Sequence, residues 1–268
     1  MGKVYLTLNE IQKKELEILI FFDKICKDNQ LKYTLIGGTL LGAIRHKGFI
    51  PWDDDIDVGM PRKDYELLVS KIQNGEINVD PYSIFLDRGK EKKYPFLKLV
   101  NKKYKVESKM EIVKFLWIDI MPIDNIESVG DAKLKYKKIK WNLMLFRAYY
   151  KMNNINSFIK KICVWCLRIY AKCIGINKII ETITSISKSN MNENTKYMGV
   201  ISWGLYGIGE IYSSTAFDNL IEVDFEKNKF YSISLWHEYL TGIYNNYMEI
   251  PSENNRKTHF IKVYEEGE

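Results

Sequence analysis

Four carboxylates fall within five residues, Asp53, Asp54, Asp55 and Asp57, directly after Pro51-Trp52. Carboxylates held this close repel one another, and each costs several kcal/mol to bury without a partner, so a cation is their natural counterpart. In an extended chain alternate side chains share a face, which puts Asp55 and Asp57 on one side and Ile56 and Val58 toward a core. A further carboxylate, Asp119, stands between Ile118 and Ile120 in another strand-like run. An aspartate pair at i and i+2 on one strand, with a third on a neighbouring strand, offers hard oxygen ligands that suit magnesium and leaves positions for water and phosphate oxygens. In phosphoryl chemistry such a metal neutralises charge on the transferring group, and one carboxylate orients or deprotonates an attacking hydroxyl. Gly37-Gly38-Thr39 suits the same chemistry. Glycines let backbone N–H groups approach a phosphate, and a helix beginning at Thr39 directs its positive end there.

Plainer readings stand beside these. A run of aspartates also suits a solvated loop, and a glycine pair suits a turn; Pro51-Trp52 ahead and the strand-like Ile56-Asp57-Val58 behind favour a site. A calcium loop would need Gly where Val58 stands and Glu where Asp64 stands. Cys163 and Cys166 have the spacing of half a zinc site, but they fall on a helical stripe with no nearby histidine and read as small buried residues. His46, His237 and His259 are scattered singly and read as structural or surface groups.

The elements that must position these residues follow from periodicity. Thr7-Leu8-Asn9-Glu10 has the form of a capping box, and Ile11, Leu16, Leu19, Ile20 and Phe22 predict a helix to about residue 27. Residues 33–36 predict a strand ending in the glycine turn, followed by a short helix capped by Thr39 and running through Arg45. Residues 64–72 read as helix, and 82–86, 96–100 and 115–120 as strands. Two basic helices are expected at 132–150 and 155–174, joined by Asn153-Asn154-Ile155-Asn156. In the second, Ile155, Phe158, Ile159, Ile162, Cys163, Cys166, Ile169, Tyr170 and Cys173 follow helical spacing, with Lys161, Arg168 and Lys172 opposite them.

The chain of 268 residues carries a net charge of +6, which hides an asymmetry. Residues 131–178 hold twelve Lys/Arg and one acidic residue, a charge of +11, and the remainder sums to −5. The basic stretch suits a pair of helices that cover the core with solvated lysines, or a platform for an anionic membrane surface. No recognition motif for nucleic acid accompanies the charge. The longest stretch free of charged residues, 197–209, is rich in glycine and shorter than the ~20 apolar residues of a spanning helix. The start of the chain lacks the apolar core of a signal peptide. With four cysteines, too few for a disulfide framework, the expected location is the cytoplasm, with peripheral association at the inner membrane face.

The strand, Gly-Gly-Thr, short helix, Asp-x-Asp strand and distant Asp119 resemble the polymerase-beta-like nucleotidyltransferase core. The longer string from Gly37-Gly38-Thr39-Leu40-Leu41-Gly42 through Arg45-His46-Lys47-Gly48-Phe49-Ile50-Pro51-Trp52-Asp53-Asp54-Asp55-Ile56-Asp57-Val58 is similar to the signature of the LicD family of phosphotransferases. That group includes bacterial phosphocholine transferases and, more distantly, the fukutin-related proteins. Arg62, Asp64, Tyr65, Glu66, Lys98, Asp119-Ile120-Met121-Pro122 and Tyr247-Met248-Glu249-Ile250-Pro251 continue the pattern.

The resemblance implies an α/β (α+β) fold: a nucleotidyltransferase-like catalytic core at 1–130, a basic helical insertion at 131–195, and a C-terminal segment at 196–268 packing on the core. It implies transfer of a phospho-substituent, phosphocholine from CDP-choline, to a hydroxyl of a cell-surface glycan or its polyprenyl-linked precursor, with CMP released. Asp55 and Asp57 would hold magnesium or manganese, and Asp119 would serve as ligand or general base. Arg45 and Lys98 would contact phosphates, Gly37, Gly38 and Thr39 would shape the nucleotide pocket, and Asp53 and Asp54 would support the ligands from behind. A choline head group calls for an aromatic cage, for which Trp52, Trp203, Tyr206 and Trp236 are available. Two rival readings are a true nucleotidyltransferase that moves a nucleotide from a nucleoside triphosphate, and a membrane-surface or metal-binding protein without catalysis.

Overall fold

The capping box at Thr7 and Glu10 forms as its residue types require. The Thr7 N–H donates to the Glu10 carboxylate at 2.8 Å, and the Glu10 N–H donates to the Thr7 hydroxyl at 3.4 Å. It starts α1, Leu8–Asp28, whose stripe of Ile11, Ile18, Leu19 and Phe22 is buried. The computed structural model describes residues 2–89, 92–108, 111–150, 158–256 and 261–266, with backbone alone for 158–161 and 266. The expected asparagine-rich link and His259 lie outside the described residues.

Ahead of α1 runs β1 (Lys3–Tyr5). After it come β2 (Thr34–Leu35), α2 (Gly37–His46), β3 (Asp57–Pro61), α3 (Arg62–Gln73), β4 (Ser83–Phe85), β5 (Leu97–Glu107) and β6 (Phe115–Ile126). The basic stretch supplies α4 (Val129–Tyr149), α5 (Phe158–Ile174) and α6 (Ile176–Ser187). Gly175, at a φ of 83° open to glycine, turns the chain between the last two. The remainder forms β7 (Tyr197–Gly199), β8 (Tyr212–Ser213), β9 (Ile221–Phe225), β10 (Asn228–Ser232), α7 (Trp236–Tyr244) and β11 (Lys262–Glu266).

The main sheet has the order β1-β11-β5-β6-β3-β2, with β4 beside β5, β7 beside β6 and β8 beside β7; β9 and β10 form a separate hairpin. Among the described pairs β3 and β6 run parallel and the others antiparallel, a mixed sheet of an α+β, nucleotidyltransferase-like fold. The final strand, β11, inserts between β1 and β5, so both ends of the chain are held in the sheet that carries the site. Ile56, Val58, Ile118 and Ile120 are wholly buried, as their alternation with aspartates requires.

Two sequence expectations are corrected here. Thr39 does not cap α2, which begins at Gly37 after Ile36; its hydroxyl instead accepts the Asp57 backbone N–H at 2.8 Å, because β3 passes within its reach. Cys163, Cys166 and Cys173 are exposed, not buried. Helix α5 packs on α4 and α6 through its other side, where Ala171 is fully buried and Val164, Leu167 and Ile174 are half-buried.

Candidate active site

Strand register sets three charged side chains in one row. Asp57 of β3 lies opposite Asp119 of β6, and Asp119 lies opposite Lys98 of β5. Residues in register share a face of the sheet, so a carboxylate, a carboxylate and an ammonium stand side by side across three strands. Lys98 Nζ is 2.7 Å from Asp119 Oδ1 and 3.5 Å from Glu111 Oε2. The rings of Tyr94, Phe96 and Trp117 surround the ammonium at 4.6, 5.6 and 4.3 Å from their centroids, which favours a cation in a site almost closed to water. Burial pushes the Asp119 carboxyl up to about 6; Lys98 opposes this, while Glu111 and Asp55 add to it.

The aspartate loop is anchored from three directions. The Gln12 amide of α1 donates to the Asp53 carbonyl at 2.9 Å, the Ile261 N–H donates to the buried Asp54 carboxylate at 3.4 Å, and Thr39 holds the Asp57 backbone. Asp53, Asp55 and Asp57 are half-buried. The glycines of α2 meet this loop closely: a Cβ on Gly37 would lie 3.5 Å from Asp57 Oδ2, and one on Gly38 only 2.7 Å from Asp53 Oδ2. The Gly37 N–H donates to the Tyr239 hydroxyl at 3.1 Å.

Other sequence candidates are spread more widely. Arg45 donates to the carbonyls of Tyr247 at 2.8 Å and Glu249 at 3.1 Å, so its guanidinium fastens the loop after α7. Trp52 is covered by the Arg256 guanidinium at 4.3 Å. Trp203 packs edge-on against Tyr94, Phe96 and Phe146, joining the rings around Lys98. Tyr206 pairs with Tyr244 through hydroxyls 3.2 Å apart, and Trp236 packs on His237. The four candidate cage residues thus each pack against different neighbours. Tyr206 is nonetheless close to the aspartates: burial raises its pKa most, and the charges of Asp57 and Asp55 raise it further.

Several groups at the site escaped the sequence reading. Glu15 of α1 is fully buried, and neither carboxylate oxygen has a hydrogen-bond partner among the described residues. Burial raises its pKa well above the usual carboxylate range, and Asp55, Asp54, Asp53 and Asp119 all add to the rise. Its signal was a carboxylate four residues after Ile11 and three before Ile18, inside an apolar stripe. Buried Tyr239 and half-buried Tyr244 of α7 are also within electrostatic reach of Asp57. Behind them Glu210 is buried, and its carboxyl is pushed up to about 8.

Glu210 carries a stability prediction. The native state holds its proton from the ordinary carboxylate range up to about 8, whereas the unfolded chain releases it near 4.3. The unfolded state therefore binds fewer protons in this window, and native stability falls as pH rises through it. Glu210→Gln is expected to remove that decline and to be the more stable protein above pH ~8 by a few kcal/mol. Melting temperatures of both proteins from pH 5 to 9 check this; parallel curves would refute it.

Among the described residues no group of three or more His, Cys, Asp or Glu side chains is arranged to hold a metal ion. Magnesium, however, is commonly bound by one or two carboxylates, with substrate phosphates and water completing the octahedron. Asp55 and Asp57 fit that requirement as hard oxygen donors, and the orphaned oxygens of Glu15 nearby mark a site built for more positive charge than its side chains supply.

Comparison with known proteins agrees with the geometry. Residues 30–142, which span β2 to α4 and contain the whole charged row, match the family described as LicD/FKTN/FKRP, nucleotidyltransferase domain. The core of this chain is similar to the LicD family. Along 96% of its length it is 27% identical to the lipopolysaccharide cholinephosphotransferase LicD of Haemophilus influenzae, covering 97% of that protein. Shorter matches join this chain to uncharacterized proteins of Rickettsia prowazekii, 43% identical over 63 residues, and Rickettsia typhi, 39% identical over 71 residues. These cover 24% and 22% of this chain and 21% and 23% of those proteins.

Proposed function

We propose that this LicD-type phosphotransferase moves phosphocholine from CDP-choline to a hydroxyl of a cell-surface glycan or its lipid-linked precursor, releasing CMP. The observation that carries this reading is the Asp57–Asp119–Lys98 row, set beside the glycine-opened start of α2. The end-to-end likeness to a lipopolysaccharide cholinephosphotransferase supports choline phosphate as the transferred group.

Asp55 and Asp57 would hold a divalent magnesium or manganese ion. Bound there, the ion would neutralise the diphosphate of the donor and the charge that develops on the departing phosphate. The protein's own groups account for the rest. Asp119 would accept the proton of the acceptor hydroxyl, whose oxygen bonds to the choline-bearing phosphorus as the bond from that phosphorus to the CMP oxygen breaks. A carboxyl pushed up to about 6 is still mostly ionised at neutral pH and is a stronger base than an ordinary aspartate. Lys98 would hold Asp119 in place and keep its anionic form accessible despite burial. The exposed ring of Tyr206, with Tyr244, would face the donor's head group at the aspartate side of the site.

Thermal shift with CDP-choline and magnesium, followed by mass analysis of a glycan acceptor, tests the proposal. A donor-dependent rise in melting temperature and an acceptor that gains one phosphocholine group are expected. An acceptor that gains a nucleotide instead would replace this reading with that of a nucleotidyltransferase acting on a nucleoside triphosphate.

A further inference from the structure

Helix α5 turns an apolar face to solvent. Ile162, Trp165, Cys166, Ile169, Tyr170 and Cys173 recur at the three- and four-residue spacing of one helix face. Yet Ile162 is 48% exposed, Trp165 59%, Ile169 45% and Tyr170 52%, and both cysteines are exposed. The opposite side makes the contacts with α4 and α6, and Arg168 is drawn to that side, where it donates to the Ala148 carbonyl at 3.2 Å. A continuous stripe of large apolar side chains on a soluble surface marks a docking site.

We infer that this face docks into an anionic lipid bilayer, with α5 lying in the plane of the interface. Two observations select that occupant over a second copy of the chain. Helix α5 contains four Lys/Arg and no acidic residue, within the 131–178 stretch of charge +11. Pairing two copies here would set two such stretches against each other, whereas anionic head groups complement them. The large exposed rings are one Trp and one Tyr, the aromatics that settle at the boundary between head groups and acyl chains. At 17 residues α5 is about 25 Å long, and no described helix is long and apolar enough to cross a membrane, so the helix lies on the surface. Exposed Lys172 borders the apolar face, where its ammonium can reach the head groups while its methylenes lie along the acyl boundary. Helix α4 packs on both α5 and the turn at Gly207–Glu210, which follows Tyr206, so the docked helix is mechanically joined to the site. The inference does not depend on which group the enzyme transfers.

Flotation with vesicles of phosphatidylcholine, with and without an equal part of phosphatidylglycerol, tests it on the full chain. The wild type is expected to float with the anionic vesicles, and the double variant Ile162→Ser/Ile169→Ser to bind at least tenfold more weakly with an unchanged melting temperature. Independently, vesicles containing brominated lipids should quench a component of tryptophan emission that Trp165→Phe removes. A wild type that stays unbound, a double variant that floats as well as the wild type, or quenching that Trp165→Phe leaves intact would overturn the inference. So would a dimer in sedimentation that the double variant abolishes while the wild type ignores vesicles; a second copy would then be the occupant.

Discussion

Asp57→Asn is expected to lower kcat about a thousandfold or more while leaving the melting temperature in chelator unchanged or higher. The side chain is isosteric, and the backbone N–H at this position still reaches the Thr39 hydroxyl, so β3 keeps its register against β6. What changes is charge. Asp57 stands in register with Asp119, and its charge and that of Asp55 both reach Tyr206. Neutralising one member eases their repulsion in the free protein. It also takes away half of the carboxylate pair proposed to hold the cation, and electrostatic stabilisation of developing charge is commonly the largest single contribution to such a reaction. Turnover measured with magnesium present, and melting curves recorded in chelator, check both halves. Unimpaired turnover would reject the assignment of the site, and a sharp fall in stability would show that Asp57 holds the fold.

The largest effect on stability is expected at Arg62. Its guanidinium, 2% exposed, grips the wholly buried Asp124 with two bonds, Nε to Oδ1 at 2.6 Å and Nη2 to Oδ2 at 3.0 Å. Arg62 opens α3 directly after β3, and Asp124 sits near the end of β6, so the pair clamps the two parallel strands beyond Asp57 and Asp119. Removing Arg62 takes the direct partner from buried Asp124, and removing Asp124 leaves Arg62 only its longer contact with Glu66 at 3.4 Å. Arg62→Met and Asp124→Leu should each cost about 3–5 kcal/mol, since neither side chain can reach water. At about 2–4 °C per kcal/mol, that lowers the melting temperature by roughly 10 °C or more. The double variant should recover much of the loss, because an apolar pair of similar volume incurs no desolvation penalty. Chemical denaturation of the four proteins completes the cycle; additive losses would mean that the two residues act independently.

Arg62 also illustrates how far the sequence could be read. It belongs to the string that resembles the LicD signature, and nothing in that string separates a residue that holds strands together from one that handles substrate. The aspartates were different. Alternation with Ile56 and Val58 required one face for carboxylates and one for the core; both apolar residues are buried, but β3 starts only at Asp57, and Asp55 sits in the loop ahead of it. Helix α1, the Asp-x-Asp strand and the later strand carrying Asp119 were legible because local periodicity specifies them. Glu15 was visible as a lone carboxylate in an apolar stripe, although its target was not: Asp53 to Asp55 lie some forty residues away in sequence. Helix α5 misled for a related reason. Its spacing is that of a core helix, and amphipathicity says that a face needs a partner without saying whether protein or another phase supplies it.

The sequence by itself determined the chemistry on offer: hard oxygen ligands, a glycine-opened helix start, a basic stretch apart from an acidic core, and a likeness to a phosphotransferase family. These are properties of residue type and short spacing. Only the tertiary structure decided that Asp57, Asp119 and Lys98 stand in one row, that Arg45 fastens a loop, that β11 closes the sheet beside β1, and that the apolar face of α5 meets solvent. Each depends on which strands pair, in which direction and register, and on which helix face finds a neighbour. Those outcomes are set by packing over the whole chain, where a one-residue slip of β3 would send Asp57 to the other face.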